Sequence, residues 1–372
     1  MAEFFGDLSI FGMKGSEAFT EVVDNYIKAS RNTDTSFIIK ASCERFGSGE
    51  GKGLIKESLR GHDLFIIADV FNHGATYKMY GKEYPMSPDD HFCDIKRIIG
   101  AVGGKARRIS VIMPMLYEGR QHKRSTRESL DCAQSLQELV AMGVTNIITF
   151  DAHDARVQNA IPLHGFDNAQ PTYQMIKTFI NTVPDLTLNA DNVAIVSPDE
   201  GGMSRCMYYS SVLKLDLGMF YKRRDYSRIV NGTNPIVEHK YLGNSVEGKD
   251  VIIVDDMISS GGSMIDVAQK LKAMGAKRVF AFATFGLFCN GLEMFDKAYA
   301  DGTIAKIFTT NLTYRAPEVL ASPWYQEVDL RKYVALLIDQ INRDGTISTL
   351  LDPKDKIYAY IDKAVAEGKL KV

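Results

Sequence analysis

Cysteine is scarce in this chain and poorly placed for structural work. The five present are Cys43, Cys93, Cys132, Cys206 and Cys289. They are scattered, odd in number and free of any C-x-x-C pair, so neither a disulfide framework nor a thiolate zinc site is expected, and a reducing compartment fits. No apolar run reaches the roughly 18 residues that a spanning helix needs, so no membrane segment is expected. An excess of one charge is also missing. The formal net charge is −2, which gives the whole molecule no electrostatic attraction for nucleic acid or an anionic membrane. The opening residues MAEFFGDLSIFG lack the cationic start of a secretory signal, and a cytoplasmic chain is expected. The pattern G-x-x-x-x-G-K-[ST] does not occur, which excludes a P-loop. Gly47–Gly53 is glycine-dense but holds no clean G-x-G-x-x-G, so a dinucleotide fingerprint gains no support.

What the chain does have is length and alternation. Its 372 residues, 45% hydrophobic and 24% charged, suit two globular domains. Short apolar segments, many of them β-branched, read as strands buried on both faces: Leu64–Ala68, Ile109–Met113, Asn146–Phe150, Val193–Val196, Val251–Val254 and Arg278–Thr284. Amphipathic stretches between them read as helices: Gly15–Ser30, His91–Val102, Ser129–Met142, Tyr173–Thr182 and Met264–Met274. This alternation predicts an α/β protein with mainly parallel sheets flanked by helices. LVAMGVTNI from Leu139 and LKAMGAKRV from Leu271 echo each other. In each, a helix ends at a glycine suited to a left-handed C-terminal position, and a strand follows. The echo is read either as two related halves or as an ordinary helix-to-strand loop. No linker-like run separates the halves. The least structured stretches are expected at Val70–Asp90 and Asp225–Pro235, and the boundary near Gly165–Gln170.

The motif richest in chemistry is Val251-Ile-Ile-Val-Asp255-Asp256-Met-Ile-Ser259-Ser260-Gly261-Gly262-Ser263. A buried strand delivers two carboxylates at its carboxyl end, the edge at which open α/β sheets bind ligands. Small residues then lead into a helix. Gly261 and Gly262 let backbone N–H groups approach an anion at the helix N-terminus, and Ser260 and Ser263 add hydroxyl donors. Bare carboxylates repel phosphate. Beside such a loop they make sense if they hold sugar hydroxyls or a metal that accompanies the phosphate. A sugar phosphate satisfies both halves.

Asp255–Ser263 resembles the phosphoribosyl-binding loop shared by phosphoribosyltransferases and ribose-phosphate pyrophosphokinases. Further segments, in order, resemble the pyrophosphokinases: Arg45-Phe46-Gly47-Ser48-Gly49-Glu50 with Glu57–Gly61, Arg120-Gln121, Asp151-Ala152-His153 with Gln158, Ser197-Pro198-Asp199-Glu200-Gly201-Gly202, and Tyr221-Lys222-Arg223-Arg224. The resemblance implies two tandem phosphoribosyltransferase-like domains, 1–166 and 167–345, with a tail, 346–372, that packs on the first. It implies transfer of the diphosphate of ATP, with Mg²⁺, to ribose 5-phosphate. Phe46, Ser48, Glu50, Arg120 and Gln121 would hold ATP, Phe46 by stacking on the base. Asp255, Asp256, Ser259, Ser260, Gly261, Gly262 and Ser263 would hold ribose 5-phosphate. His153 and Asp199 would be metal ligands, and Lys222 and Arg224 catalytic cations. A homo-oligomer is implied, with the Phe46–Glu50 loop serving a neighbouring copy. ATP chemistry independently calls for cations and Mg²⁺ at the transferred group.

The chain departs from that pattern at several points. His122 stands where an acidic residue is usual, Ser259 replaces a common Asp, Ser48 replaces Asn or Asp, and residues 72–88 read as an insertion. Two alternatives stay open from the sequence: a phosphoribosyltransferase, and a non-catalytic regulatory relative.

Overall fold

The computed structural model describes residues 4–224 and 236–372, with the side chains of 222–224 and 236–239 left aside. Asp225–Pro235, read above as a loop, lies outside the described residues. The chain forms two compact units. One comprises Met1–Pro171, Asn311–Tyr314 and Asp329–Asp352; the other comprises Thr172–Thr310, Arg315–Val328 and Pro353–Val372. The segment expected as a tail is thus divided between them.

The strands of the first unit are β1 (Asp7–Gly12), β2 (Ala41–Arg45), β3 (Gly51–Ile55), β4 (His62–Ile67), β5 (Thr76–Met79), β6 (Lys82–Pro85), β7 (Arg108–Ile112), β8 (Asn146–Phe150) and β9 (Gly165–Ala169). Five of them make a sheet in the order β1-β4-β7-β8-β9, parallel throughout. β2–β3 and β5–β6 are separate antiparallel hairpins. The second unit carries β10 (Val193–Ser197), β11 (Asp216–Arg224), β12 (Ile236–Leu242), β13 (Asp250–Ile258), β14 (Arg278–Gly286), β15 (Lys306–Thr310) and β16 (Tyr325–Val328). These make a seven-stranded sheet in the order β12-β11-β10-β13-β14-β15-β16. Only the β11–β12 pair in it is antiparallel.

Every strand and helix expected from the apolar pattern is present, with ends shifted by a few residues. The pattern works because each strand feeds two helical layers. Along β14, Val279, Ala281 and Ala283 share a core with Val267, Ala268 and Leu271 of helix Gly262–Ala273. The alternate residues Phe280 and Phe282 lie edge-on to Phe179 of helix Thr172–Thr182, with ring centroids 5.1 and 5.2 Å away. Two-residue alternation sends successive side chains to opposite faces, and both faces are covered, so the strand reads as unbroken apolar sequence.

The internal echo falls at matching places. Helix Asp131–Ala141 connects β7 to its parallel neighbour β8, and helix Gly262–Ala273 connects β13 to its parallel neighbour β14. Gly143 and Gly275 both take positive φ, 97° and 88°. The next residue's N–H reaches back to Leu139 and Leu271 respectively, at 3.1 and 3.0 Å, the signature of a Schellman ending. This common placement favours the reading of two related halves.

The amino edge of each sheet is clamped by an ion pair across a register pair. Asp63 of β4 lies opposite Arg108 of β7 and accepts its Nε and Nη2 at 2.8 and 2.6 Å. Asp250 of β13 lies opposite Arg278 of β14 and accepts the same two atoms at 2.9 and 2.5 Å. Asp63 is fully buried and also accepts Asn342 Nδ2 at 2.9 Å. Asn342 in turn donates to Gly6 O at 3.0 Å and accepts Arg31 Nη2 at 2.8 Å. The network thereby ties β1, β4, β7 and helices Glu17–Arg31 and Arg331–Asn342 together.

Removing one partner of such a buried pair strands the other charge. Asp63→Ala is expected to cost the first unit about 3–5 kcal/mol, whereas Asp63→Leu combined with Arg108→Met should recover much of that loss. Urea unfolding, followed by hydrogen exchange at β4 and β7, measures both. Equal losses in the two variants would show that the charge pair itself, and not a stranded charge, holds this edge.

Candidate functional site

In the second unit, the carboxyl edges of β11, β10 and β13 lie side by side. Register aligns Ser197 of β10 with Met219 of β11, and Val196 of β10 with Ile253 of β13. The chain leaves β10 toward β11 on one side and returns through β13 on the other. That makes the β10–β13 gap a topological switch point, where open α/β sheets bind ligands.

Three of the sequence-derived segments converge on this edge. Asp255 and Asp256 follow the β10-paired part of β13, which ends at Ile253. Asp199 follows β10, and its Oδ1 accepts the backbone N–H groups of Gly201 and Gly202 at 2.9 and 3.3 Å. Ser197 Oγ donates to Asp199 O at 2.6 Å, which folds the turn back on its own strand. The backbone of Lys222–Arg224 continues β11 beyond Met219, paired with β12. The helix that follows the turn, Met203–Leu213, is joined to β13 through Cys206, whose Sγ donates to Val254 O at 3.4 Å. Burial pushes that thiol up to about 12, so it acts as a packing group rather than a nucleophile.

The loop after β13 has the geometry of an anion cradle. Gly261 takes φ +86°, and a Cβ there would lie 2.1 Å from Cζ of the buried Phe295. Both the backbone angle and the ring therefore require glycine. At Gly262 a Cβ would meet nothing within 4 Å. Helix Gly262–Ala273 starts at Gly261 with no side-chain cap, which leaves its first N–H groups and dipole to a ligand. Ser260 and Ser263 are exposed beside it, and Ser259 is half-buried with its carbonyl accepting Cys289 N–H at 2.9 Å.

The carboxylate pair is electrostatically crowded. Burial first, then the charge of Asp256, pushes the Asp255 carboxyl well above the usual carboxylate range; Arg205, with Nη1 4.0 Å from Oδ1, offsets only part. Arg205 was not singled out from sequence. Its signal is its place in the first turn of the helix after Gly201-Gly202. A divalent cation or a row of sugar hydroxyls relieves the crowding that raises Asp255.

In the first unit, the segments after β7 and β8 meet. The rings of His122 and His153 lie 5.2 Å apart, and His122 Nε2 is 3.5 Å from Asp154 Oδ2. Asp151 is buried at φ 42° and its N–H bonds Ala169 O at 2.8 Å, which fixes the turn that carries exposed His153. Arg156 holds Asp154 below the usual carboxylate range. His122, noted only as a departure, is thus a member of this edge. Arg120 is exposed. Gln121 donates Nε2 to Ser129 O at 3.0 Å, bracing the following loop.

Phe46, Ser48 and Glu50 sit in the turn between β2 and β3. Phe46 is 56% exposed, and Ser48 Oγ donates to Glu50 Oε2 at 2.8 Å. The hairpin is held against helix Pro88–Val102 by Arg45, whose Nη1 bonds Asp94 at 2.6 Å. Tyr117, on the way to Arg120, reaches the same helix: Oη donates to Asp89 at 2.6 Å and the ring stacks on Phe92 at 4.2 Å. Among the described residues no three His, Cys, Asp or Glu side chains gather into a ready metal cage. Mg²⁺, which is commonly bound by one or two carboxylates together with substrate phosphates, does not need one.

The raised Asp255 makes a stability prediction. The folded chain holds a proton more tightly than the unfolded one, whose Asp titrates near 3.8. Folded stability therefore falls as pH rises above that value, until the folded carboxyl has also ionised. Asp255→Asn should flatten this slope and melt higher than the parent at pH about 8 in the absence of divalent ions. Melting curves from pH about 4 to 8 compare the two; parallel profiles would rule out Asp255 as the source.

Comparison with known proteins agrees with this layout. Residues 8–143 match the N-terminal domain of ribose phosphate pyrophosphokinase, and residues 166–301 match the phosphoribosyl transferase domain. The ribose-phosphate pyrophosphokinase of Vibrio parahaemolyticus is 28% identical over 317 residues, 84% of this chain and 91% of that one. That of Staphylococcus aureus is 28% identical over 347 residues, 93% and 97% of the two chains. The phosphoribosylpyrophosphate synthetase of Mycobacterium smegmatis shares the fold, with a TM-score of 0.73 at 19% identity over 91% of this chain and 100% of its own. Both domain models in sequence, and full-length relatives on either side of them, make this chain a member of the ribose-phosphate pyrophosphokinase family.

Proposed function

We propose that the chain transfers the diphosphate group of MgATP to the C1 hydroxyl of ribose 5-phosphate, giving 5-phosphoribosyl 1-diphosphate and AMP. The observation that carries this reading is the single edge of the second unit's sheet. There, an uncapped glycine-bearing helix N-terminus stands beside two crowded carboxylates and the Asp199 turn. One half suits a 5-phosphate; the other suits the ribose hydroxyls. The two-domain relatives named pyrophosphokinase support the same reading along nearly the whole chain.

Residues 259–263 hold the 5-phosphate through backbone N–H groups and hydroxyls. Asp255 and Asp256 hold the 2- and 3-hydroxyls, directly or through a second Mg²⁺. The C1 hydroxyl then points at the β-phosphorus of ATP. Its oxygen bonds to that phosphorus, the bridge to the α-phosphate breaks, AMP leaves with the bridging oxygen, and the hydroxyl proton is released. His153 and Asp199 are the residues assigned to Mg²⁺, which supplies charge neutralisation at the phosphates. Lys222 and Arg224 follow β11 outward and are assigned to the charge that develops on the transferred group. Arg120 and the Phe46–Glu50 loop hold the nucleotide, with Phe46 on the base and Gln121 bracing the segment next to Arg120. The site works in a cytoplasmic homo-oligomer, in which the Phe46–Glu50 loop serves ATP on a neighbouring copy.

The direct test mixes protein, Mg²⁺, ATP and ribose 5-phosphate. AMP and phosphoribosyl diphosphate should appear one for one and only with a divalent ion; ADP in place of AMP would mean that a single phosphoryl group moves. Lys222→Ala should lower kcat by at least about 10²-fold and shift the Kd for ATP by less than about tenfold. Asp256→Ala should weaken ribose 5-phosphate binding as well, because its ligand is present in the ground state. A Lys222→Ala protein that loses ATP binding but keeps kcat at saturation would make Lys222 a ground-state anchor. Sharing of sites is checked by mixing inactive Glu50→Ala and Lys222→Ala proteins. Activity should return on subunit exchange; a monomer in light scattering with full activity would refute sharing.

A further inference from the structure

The insertion at 72–88 is a built element. Its base is closed by Asn72, whose Oδ1 accepts the N–H groups of Gly74 and Ala75 at 3.0 and 3.1 Å and whose Nδ2 donates to Gly15 O at 2.9 Å. Ala75 and Met86 are buried and joined by a 2.8 Å backbone bond. Above them β5 and β6 pair in register from Thr76–Pro85 to Met79–Lys82, and the guanidinium of Arg45 lies over the Tyr77 ring at 5.0 Å.

The tip of this hairpin breaks a local rule. Its two turn residues, Tyr80 and Gly81, both have positive φ, 49° and 75°. Such primed turns favour Asn-Gly, Asp-Gly or Gly-Gly, and a bulky residue in the left-handed region is an outlier. Tyr80 is also 78% exposed, so packing gives it little reward. The tip is nevertheless docked. Tyr80 N–H donates to Gly47 O at 2.8 Å, and a Cβ on Gly49 would lie 2.6 Å from Met79 Sδ. The β5–β6 turn therefore rests against the β2–β3 turn, and two exposed aromatics, Phe46 and Tyr80, stand on adjoining turns beside the polar pair Ser48 and Glu50.

We infer that Tyr80 is a second aromatic contact for the base of the bound nucleotide, acting with Phe46, so that the inserted hairpin completes the base site. Strain kept at an exposed position points to a ligand rather than to folding. Every nucleobase offers a π-face, and stacking on an aromatic side chain gives it affinity without needing a hydrogen-bond pattern. The inference rests on the reading that the Phe46–Glu50 loop binds ATP, and it is tested without turnover.

Calorimetric titration compares ATP with tripolyphosphate, which carries the charge but no base. Tyr80→Asn should weaken ATP binding about tenfold or more, leave tripolyphosphate binding within about twofold, and melt at or above the parent because Asn suits the turn. Tyr80→Phe should keep the parent's ATP affinity. Unchanged ATP affinity in Tyr80→Asn, or equal losses for ATP and tripolyphosphate, would overturn the inference, the latter by making the hairpin a structural brace. A protein that shows the expected binding pattern but forms no AMP would sink the proposed reaction and leave the role of Tyr80 standing.

Discussion

The structure depends on register, and register depends on a salt bridge at the amino edge of each sheet. Strands covered by helices on both faces are apolar throughout, so a slip along them sends no obvious polar residue into the core. The bidentate contacts Asp63–Arg108 and Asp250–Arg278 remove that freedom. Each joins residues that are partners in the strand ladder, and a planar guanidinium accepts only one alignment against a carboxylate. A buried ion pair is a weak source of net stability. Its use here is specificity, because a shift by one residue would strand both charges.

A fixed amino edge determines what stands at the carboxyl edge. With β10, β11 and β13 in register, Ser197 lies opposite Met219 and Val196 opposite Ile253, and the chemistry-bearing residues begin just beyond this level. The cradle shape of the loop after β13 follows for local reasons: Gly261 must be glycine under Phe295, and the next helix starts without a side-chain cap. The crowding of Asp255 and Asp256 is then a built-in cost of the kind seen where a preorganised site makes the empty protein less stable.

Sequence reading reached this edge because its residues are contiguous. Asp255 to Ser263 lie on one strand–loop–helix unit, and apolar runs of β-branched residues give the strands away. What it missed is assembled from distant positions. Arg205 reaches Asp255 across the β10–β13 gap, and His122 meets His153 only because β7 and β8 are neighbours. The bond from Gln121 Nε2 to Ser129 O was likewise beyond the reach of the sequence. β1 went unread because Asp7–Gly12 is a short apolar run at the chain start with no amphipathic partner before it. The β5–β6 hairpin lies in Val70–Asp90, which was expected to be among the least structured stretches. Its turn is Tyr-Gly rather than Asn-Gly, and its β6 strand is exposed from Lys82 to Pro85.

The same residue type has opposite fates at the two edges. Asp63 and Asp250 face guanidinium groups at hydrogen-bonding distance, with every approach fixed by the ladder. Asp255 has Arg205 at 4.0 Å, and burial with a second carboxylate outweighs that cation. If carboxylates were placed only for folding, both edges would be expected to show the first arrangement, since an ill-matched buried charge is among the costlier features a fold can carry. At Asp255 the mismatch falls on the edge where the sheet changes direction and a helix opens its N-terminus. Tyr80 repeats the pattern in the backbone, with a strained angle and an exposed ring on a hairpin that is otherwise well bonded. In both places a rigid, well-bonded frame carries one group at a local cost, and that cost is what motivates the proposed ligand contacts at Asp255 and Tyr80.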